Sequence, residues 1–190
     1  MKIQLVYAAY TLFFILLLGS IVATPLLAFD HDVRILYQIY EPTCHQKISR
    51  SLCLFSDEDG KWIADCTPQE GRYVGDPSDS EQIRAEENGA IGYKMPVCSR
   101  DFGLYGGMLL GALVYPAVRG MDDRNVYPAI FLVIAMIPIG IDGGLQFISD
   151  LGVVPLAYES TNMLRLLTGA IAGIVASFYA IPLIMNFVKD

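Results

Sequence analysis

Cysteine, histidine and aspartate side chains give this chain its clearest capacity for metal chemistry. Cys44 and His45 are adjacent, and Cys98 lies 54 positions after Cys44. Two thiolates and an imidazole are preferred ligands of Zn²⁺, and Asp101 or Asp142 can supply an oxygen as the fourth ligand. The three residues therefore predict a zinc site, with zinc as a cofactor that polarises a phosphate or an ester. A disulfide between Cys44 and Cys98 and a redox-active dithiol are the alternatives.

Cys53 and Cys66 form a second, separate pair. Twelve residues lie between them, and Asp59-Gly60 marks a turn inside that stretch. A disulfide that closes a loop of this length stabilises the fold by about 3 kcal/mol in the chain-entropy model. The sequence predicts a structural disulfide here, and a metal or redox role is the alternative.

Asp142 and Gln146 are polar residues inside an apolar segment, four positions apart and so on one face of a helix. Ionisable residues at membrane depth face a cavity or the interior of the helix bundle. Asp142 and Asp101 are therefore the candidate catalytic carboxylates, each able to act as a general base or as a metal ligand. The alternative is that Asp142 locks two helix ends through an ion pair with Arg165 or Arg100.

Other polar side chains near the ends of the apolar segments could hold an anionic headgroup. Arg100 and Arg165 can form forked hydrogen bonds with a phosphate or a carboxylate. Together with Gln146 and Asn162 they are the candidate ligand-binding residues. We expect all the candidate catalytic, ligand-binding and zinc-binding residues to form one outward-opening polar pocket: Cys44, His45, Cys98, Arg100, Asp101, Asp142, Gln146, Asn162 and Arg165.

The elements that position these residues follow from the composition, which is 54% hydrophobic and 17% charged. Soluble domains carry about 25% charged residues, so this chain has too little polar surface for a water-soluble fold. Four apolar segments are long enough to cross a bilayer as helices: Ile3 to Phe29, Phe102 to Val118, Val126 to Phe147 and Met163 to Val188. The predicted fold class is all-α, a four-helix polytopic membrane bundle whose first segment is a retained signal anchor and not a cleaved signal peptide.

Between the first two segments lies a hydrophilic excursion, residues 30–101, within a single membrane domain of residues 1–190. Turn signals are dense in it, so we expect a loop-rich extracytoplasmic segment that could include a hairpin. Its first part differs, since Val33, Leu36, Tyr37 and Tyr40 recur at helical spacing. This spacing predicts a short amphipathic helix that lies on the membrane surface or on the bundle.

Charged residues at the segment ends predict the orientation in the membrane. Lys2, Arg119, Arg124 and Lys189 fall at the two termini and in the second connection, and basic residues favour the cytoplasmic side. Both termini of this multi-pass protein are therefore expected in the cytoplasm, with the excursion outside the cell membrane. The net charge of −7 argues against a nucleic-acid partner, and membrane lipid is the expected one.

Small residues repeat every four positions in two of the apolar segments. Gly103, Gly107 and Gly111 lie in the second segment, and Gly169 and Gly173 lie in the fourth. Such stripes let helix backbones approach closely in lipid. They predict tight packing of the second and fourth helices, or a homo-oligomer formed through these faces. Tyrosines near the segment ends are expected to be interfacial anchors.

Four short motifs stand at both ends of the excursion and in the last two segments. They are Cys44-His45-Gln46, Pro96-Val97-Cys98-Ser99-Arg100-Asp101, Ile141-Asp142-Gly143-Gly144-Leu145-Gln146 and Ser160-Thr161-Asn162-Met163-Leu164-Arg165. In combination they resemble an uncharacterised family of prokaryotic predicted membrane proteins, domain-of-unknown-function family 2085. The resemblance spans roughly half to two-thirds of the chain and implies a membrane protein, but it implies no activity. The acidic excursion with Cys53 and Cys66 resembles an insertion relative to shorter members.

These observations leave three classes of function. The first is a membrane-embedded protein with a metal-dependent site that acts on a lipid or a lipid-linked substrate. The second is a structural or assembly subunit, in which the same residues lock helix ends and a disulfide tethers the excursion. The third is a small oligomeric transporter. The sequence has no serine-hydrolase, His-Glu-x-x-His or nucleotide-binding fingerprint, so it does not decide whether the protein is an enzyme.

Overall fold

A computed structural model describes the chain at residues 2–43, 48–66, 72–74, 84–87, 90–120, 123–152 and 158–188, and in these residues a run of short strands lies between two groups of helices. The helices are α1 (Lys2–Leu27), α2 (Arg34–Tyr40), α3 (Ser99–Val118), α4 (Ala129–Asp150) and α5 (Asn162–Phe187), with 3₁₀ turns at Glu41–Thr43 and Ile48–Arg50. The strands are β1 (Leu52–Ser56), β2 (Lys61–Asp65), β3 (Arg72–Val74), β4 (Arg84–Glu87) and β5 (Ala90–Lys94). The chain divides into two units, which we call the membrane unit (residues 1–18 and 102–190) and the excursion unit (residues 19–101).

The four long helices match the four apolar segments of the sequence. Each is long and apolar enough to cross a bilayer, over Gln4–Leu27, Ser99–Val118, Ala129–Ser149 and Asn162–Phe187. Large apolar side chains such as Leu16, Phe131 and Phe187 are exposed on their surfaces. Exposed apolar surface of this kind suits contact with lipid and not with water. The predicted four apolar segments are therefore confirmed as four helices that are candidates to span the membrane.

α3 and α5 pack side by side through the glycine stripe of α3. A Cβ atom at Gly107 would overlap the backbone of Ala170 in α5, and Gly103 and Gly111 meet α5 in the same way one turn earlier and one turn later. Because these contacts advance in the same order along both helices, the two helices run parallel. The predicted close packing of the second and fourth helices is confirmed. A homo-oligomer stays a prediction, and it would need a surface other than the α3 stripe.

α1 joins this pair near its own N-terminus. The hydroxyl of Tyr7 donates to the carbonyl oxygen of Ala112 at 3.0 Å, and Tyr10 shares a 2.9 Å hydrogen bond with Ser177. A cluster of buried side chains around Tyr115 surrounds these contacts. The N-terminus of α1 therefore lies at the same end of the membrane unit as the C-termini of α3 and α5.

The connection between α3 and α4 closes this end, which we call the basic end because it holds Arg119 and Arg124. Arg119 donates through Nε to Asp123 at 2.8 Å, and its guanidinium lies 4.4 Å from the centroid of the Tyr127 ring. The backbone N–H of Asn125, together with Arg119, holds the pKa of the Asp123 carboxyl below its usual value. The C-terminal half of α5 also donates hydrogen bonds to this connection. The segment that joins α4 to α5 therefore lies at the opposite end.

The described part of the excursion unit contains an antiparallel β-sheet with the strand order β2-β1-β5-β4-β3. The fold is therefore mostly helical with a small sheet, and the predicted all-α class with a loop-rich excursion needs this correction. The reason is clearest in β5, where Ala90, Gly92 and Lys94 are buried while Ile91 and Tyr93 are only partly so. Small and polar residues on the inward face remove the apolar alternation that identifies a strand in a sequence.

Cys53 and Cys66 form a disulfide, as predicted, with their Cα atoms 4.9 Å apart. Cys53 lies in β1 and Cys66 follows β2, so the bond closes the open end of this hairpin. Phe55 packs in the same buried cluster, and its ring crosses the neighbouring strand at Gly92. Glycine is required there because a Cβ atom would lie 2.5 Å from the ring.

α2 buries one face in the excursion unit at the spacing that the sequence predicts. Val33, Tyr37 and Tyr40 are buried, and Leu36 packs against the same cluster. The hydroxyl of Tyr37 donates to the carbonyl oxygen of Lys94 in β5, which ties the helix to the sheet. The predicted short helix and its buried face are therefore confirmed, and its location on the membrane surface or on the bundle stays a prediction.

Candidate functional site

Asp142 lies about two turns before the end of α4 and is 4% exposed. Its Oδ1 accepts a hydrogen bond from the hydroxyl of Tyr158 at 2.8 Å. The backbone N–H of Tyr158 donates to Ser149 Oγ at 3.0 Å, which fixes the tyrosine against the end of α4. α4 stops here because Gly152 adopts a φ of +64°, the left-handed conformation that ends many helices.

Arg165 lies in the first turn of α5 and is 1% exposed, so its long cationic side chain is buried. Its Nη1 donates to Asn162 Oδ1 at 3.1 Å, and its Nη2 lies 3.7 Å from Glu159 Oε1. The Glu159 side chain is 61% exposed, so the guanidinium connects a buried position with the surface. Thr161 caps the helix, since its Oγ1 accepts from the backbone N–H of Leu164 at 3.2 Å.

Gln146 and Asn162 complete a set of four buried polar side chains with Asp142 and Arg165. Gln146 follows Asp142 by four positions on α4, whereas Asn162 is the first residue of α5. α4 and α5 pack against each other and are joined by the segment between them. All four residues therefore lie toward the joined end of this helix pair, which we call the polar end of the membrane unit.

Hydrogen bonds within the chain orient the buried charged groups of the polar end. Removing a charge from water into a protein interior costs several kcal/mol unless hydrogen bonds and opposite charge compensate. Tyr158 orients the carboxylate of Asp142, and Asn162 orients one edge of the Arg165 guanidinium. Donors and acceptors that are already oriented lose less side-chain entropy when a ligand binds.

The start of α3 carries a second polar cluster, in the excursion unit. Cys98 Sγ donates to Asp101 Oδ2 at 3.2 Å, across the first turn of the helix. Asp101 lies where the helix dipole favours a carboxylate. The buried Ser99 donates from its Oγ to the carbonyl oxygen of Arg50 at 3.0 Å, which joins the segment before β1 to the start of α3. Arg100, half-buried, is the next residue of α3.

Cys44 and His45, two of the three predicted zinc ligands, lie outside the described residues. Within the described part of the chain, no three histidine, cysteine, aspartate or glutamate side chains come together as a metal site. Cys98 and Asp101 are close enough to bind one ion together. The zinc site, the alternative Cys44–Cys98 disulfide and the single pocket predicted from all nine residues stay predictions.

Comparison with known proteins shows where the chain belongs. The model of a family described as "Predicted membrane protein (DUF2085)" matches residues 90–179. An uncharacterised protein of Methanocaldococcus jannaschii, MJ1492, is 31% identical over 153 residues, which cover 80% of this chain and 70% of that protein. The chain belongs to the DUF2085 family. Residues 90–179 include all four buried residues of the polar end and the start of α3, so both clusters lie in the DUF2085 region. No solved structure matches the chain.

Tyr158 is the residue of the polar end that sequence analysis of this DUF2085 protein misses. Tyr115, Tyr158 and Tyr179 donate their hydroxyls to acceptors within the chain, and the expected role of tyrosines near segment ends as interfacial anchors stays a prediction. One signal was available. A buried carboxylate such as Asp142 needs hydrogen-bond donors, and Tyr158 is a donor in the segment that returns to the same end of the bundle.

Proposed function

We propose that this DUF2085 protein binds the anionic headgroup of a lipid or a lipid-linked molecule at its polar end. In this proposal Arg165 contacts the anion, and Asp142 accepts a hydrogen bond or a proton from a hydroxyl of the ligand or from water. The observation that carries the proposal is the burial of these opposite charges, with Gln146 and Asn162, in a bundle of apolar helices. Ionisable side chains are costly in a membrane and commonly mark binding sites or proton pathways.

The geometry around Arg165 favours an anion as the ligand. A guanidinium presents its N–H donors in a planar fork that matches the oxygens of a phosphate or a carboxylate. Asn162 holds one side of this fork, while the Nη2 side points to Glu159, whose carboxylate is exposed. Because the Glu159 carboxylate is exposed and can be hydrated when it leaves Arg165, an incoming phosphate could take its place beside Nη2.

The distribution of basic residues favours an outward-facing polar end. Arg119 and Arg124 lie at the basic end, where α1 starts and α5 ends, and the sequence places Lys2 and Lys189 at the two termini. Basic residues favour the cytoplasmic side of a membrane. We therefore place both termini in the cytoplasm, and the polar end at the outer face of the cell membrane. The ligand would enter from the outer leaflet.

A chemical reaction on the bound molecule is a further step of the same proposal. Asp142, oriented by Tyr158, could accept a proton from an attacking water or hydroxyl as a general base. Two competing interpretations use the same residues. In a structural subunit, Asp142 and Arg165 lock helix ends and no ligand binds. In a small oligomeric transporter, the bound ligand would also have to reach the basic end.

Lipid binding by the purified protein in detergent tests the proposal. Phosphatidylglycerol, an anionic lipid, and phosphatidylcholine, a zwitterionic lipid, are the probes, and native mass spectrometry measures the bound fraction. Arg165→Gln should weaken phosphatidylglycerol binding about tenfold, which corresponds to about 1.4 kcal/mol of charge-assisted hydrogen bonding. Arg119→Gln removes a positive charge at the basic end and is the matched control. Equal binding of the two lipids by the wild type, or an equal loss in both variants, would contradict the proposal.

The contact between Cys98 and Asp101 supports a second proposal, a zinc site at the start of α3. Thiolate and carboxylate are both zinc ligands, and a bound zinc ion could polarise a phosphate or an ester. Metal analysis of the purified protein is the test. One zinc per chain that is lost in Cys98→Ser and retained in Arg119→Gln would support a zinc site. A Cys44–Cys98 disulfide without bound zinc would exclude it.

A further inference from the structure

β2 is an edge strand of the sheet in the excursion unit. It pairs with β1 on one side, and no strand of the described residues pairs with its other side. Most of its residues are exposed, and among them are the large apolar side chains of Trp62 and Ile63. The backbone groups of an open edge can pair with a strand of another chain. The open side of β2 is therefore a candidate interaction surface.

The hydrogen bonds of the β1–β2 hairpin show which backbone groups of β2 point to this open side. The backbone N–H of Asp57 donates to the carbonyl oxygen of Gly60, and that of Cys66 donates to the carbonyl oxygen of Ser51. Bonded and non-bonded residue pairs alternate along an antiparallel hairpin. In the register of this hairpin, the alternation directs the N–H and C=O groups of every second residue of β2 away from β1. These residues are Lys61, Ile63 and Asp65.

The sequence of β2 is complementary to itself in one antiparallel register. Lys61 and Asp65 lie two positions before and two positions after Ile63. If two copies of β2 meet with Ile63 opposite Ile63, Lys61 of each copy lies opposite Asp65 of the other. The residues that point to the open side then form the bonded pairs, and each pair exchanges two backbone hydrogen bonds. Opposite charges in cross-strand pairs stabilise a sheet, and like charges weaken it.

Such a pairing keeps the same face of both sheets on one side. Ile63 is opposite Leu54 in β1, and Leu54 is opposite Tyr93 in β5, so these side chains share a face. Phe29, which follows α1, packs edge-to-face on Tyr93, and its ring centroid lies 4.5 Å from Nζ of Lys61. The end of α1 therefore lies on this face, and both copies of α1 would leave the paired sheet from the same side. Two chains with the same orientation in one membrane require this arrangement.

We propose that two copies of this chain form a symmetric dimer through their β2 strands, with Ile63 at the two-fold axis. The occupant of the edge is a second copy because Lys61 and Asp65 meet opposite charges when the same strand runs in the reverse direction. A contact of this kind is isologous and closes as a dimer. The surface is separate from the glycine stripe of α3, and the inference is independent of the ligand proposed for Arg165.

Charge reversal tests the contact and its register together. Lys61→Asp places aspartate opposite Asp65 at both ends of the contact, and Asp65→Lys places lysine opposite Lys61. Each single variant should weaken dimerisation about tenfold, because two attractive pairs become repulsive. The double variant Lys61→Asp/Asp65→Lys restores opposite charges and should dimerise like the wild type. Native mass spectrometry of the purified protein in detergent, over a range of protein concentrations, measures the dimer fraction.

Cross-linking in native membranes tests the contact without changing its charges. In a Cys44→Ser/Cys98→Ser background, Ile63→Cys places two thiols across the axis on Cα atoms about 5.5 Å apart, so a short bismaleimide should join two copies. Glu58→Cys, in the exposed turn between β1 and β2, is the control and should cross-link much less.

Four results would overturn the proposal. The wild type could be monomeric in both measurements, or the single charge reversals could dimerise as well as the wild type. The double variant could stay as weak as the single ones, or Glu58→Cys could cross-link as strongly as Ile63→Cys.

Discussion

The hydroxyl of Tyr158 and the buried carboxylate of Asp142 are joined by a 2.8 Å hydrogen bond. Asp142 lies in α4 and Tyr158 lies in the connection, four residues before α5 begins, so this bond anchors the last part of the connection to the polar end of α4. Because the acceptor is buried, losing this donor removes part of the hydrogen bonding that compensates its charge. Variants of these two residues can therefore distinguish a structural role of the polar end from a functional one.

Tyr158→Phe and Asp142→Asn should have different effects. Tyr158→Phe removes the donor to a buried carboxylate and should lower the free energy of unfolding by about 1.5–3 kcal/mol. Asp142→Asn keeps the shape and an acceptor oxygen and removes a negative charge, so in a site for an anionic headgroup it should retain or strengthen phosphatidylglycerol binding with a small change in melting temperature. If the carboxylate only locks helix ends, Asp142→Asn should instead cost about 3–5 kcal/mol. Thermal unfolding in detergent measures the stability of both variants. Tyr127→Phe, which changes an exposed tyrosine, is the control.

Gly107→Ala should destabilise the membrane unit, and its neighbour supplies a matched control. A Cβ atom at Gly107 would overlap the α5 backbone, whereas one at Gly106 meets nothing within 4 Å. We expect Gly107→Ala to cost about 1–3 kcal/mol through overpacking. Gly106→Ala should be neutral or slightly stabilising, because alanine favours a helix over glycine by about 1 kcal/mol. Equal melting temperatures for the two variants would mean that the α3–α5 contact does not hold the unit together.

Removal of the Cys53–Cys66 disulfide should destabilise the sheet of the excursion unit. The closed loop predicts a loss of about 3 kcal/mol in the double variant Cys53→Ser/Cys66→Ser. Trp62 stacks on Phe55 in this sheet, with ring centroids 5.7 Å apart, so its fluorescence reports the unfolding. Reductant should lower the stability of the wild type and leave the double variant unchanged. If reductant does not change the stability of the wild type, the disulfide contributes nothing to the stability of the sheet.

Labelling of introduced cysteines should establish the orientation. Glu58→Cys lies in the exposed β1–β2 turn, and Gly120→Cys lies in the connection at the basic end with open space around it. In a background with Cys44→Ser and Cys98→Ser, an impermeant thiol reagent added to intact cells should label Glu58→Cys alone. Labelling of Gly120→Cys alone would reverse the orientation. Labelling of both from outside would be incompatible with four spans.

The sequence predicts the helices of this fold because lipid makes their signal strong. Each span needs a long apolar segment, since a backbone in lipid must satisfy its own hydrogen bonds. The glycine spacing of α3 also identifies its partner, because α5 carries Gly173 in a stripe of the same period and the two backbones meet there. The disulfide was predictable for a different reason, since Cys53 and Cys66 flank a turn at a spacing that suits a hairpin.

The sheet and the role of Tyr158 were harder to predict. β5 buries Gly92 and Lys94, so its inward face lacks the apolar side chains that mark a strand. Tyr158 approaches Asp142 only after the chain has turned back from the end of α4, and no spacing in the sequence encodes that return. The buried polar residues of the spans were predictable because charge is rare in an apolar segment. Two of their partners, Tyr158 and Glu159, lie in the connection before α5, where sequence patterns carry little information about distance.

The parallel contact between α3 and α5 has a consequence for biosynthesis. α4 separates the two helices in the chain, so α3 enters the bilayer before its partner has left the ribosome. Until then the glycine groove of α3 is lined by acyl chains, which fill it less well than the matching backbone of α5. A chain released after α4 would hold three inserted helices that lack this central contact. Membrane insertion of α3 therefore precedes the formation of its contact with α5. That contact can form only after α5 has been synthesised.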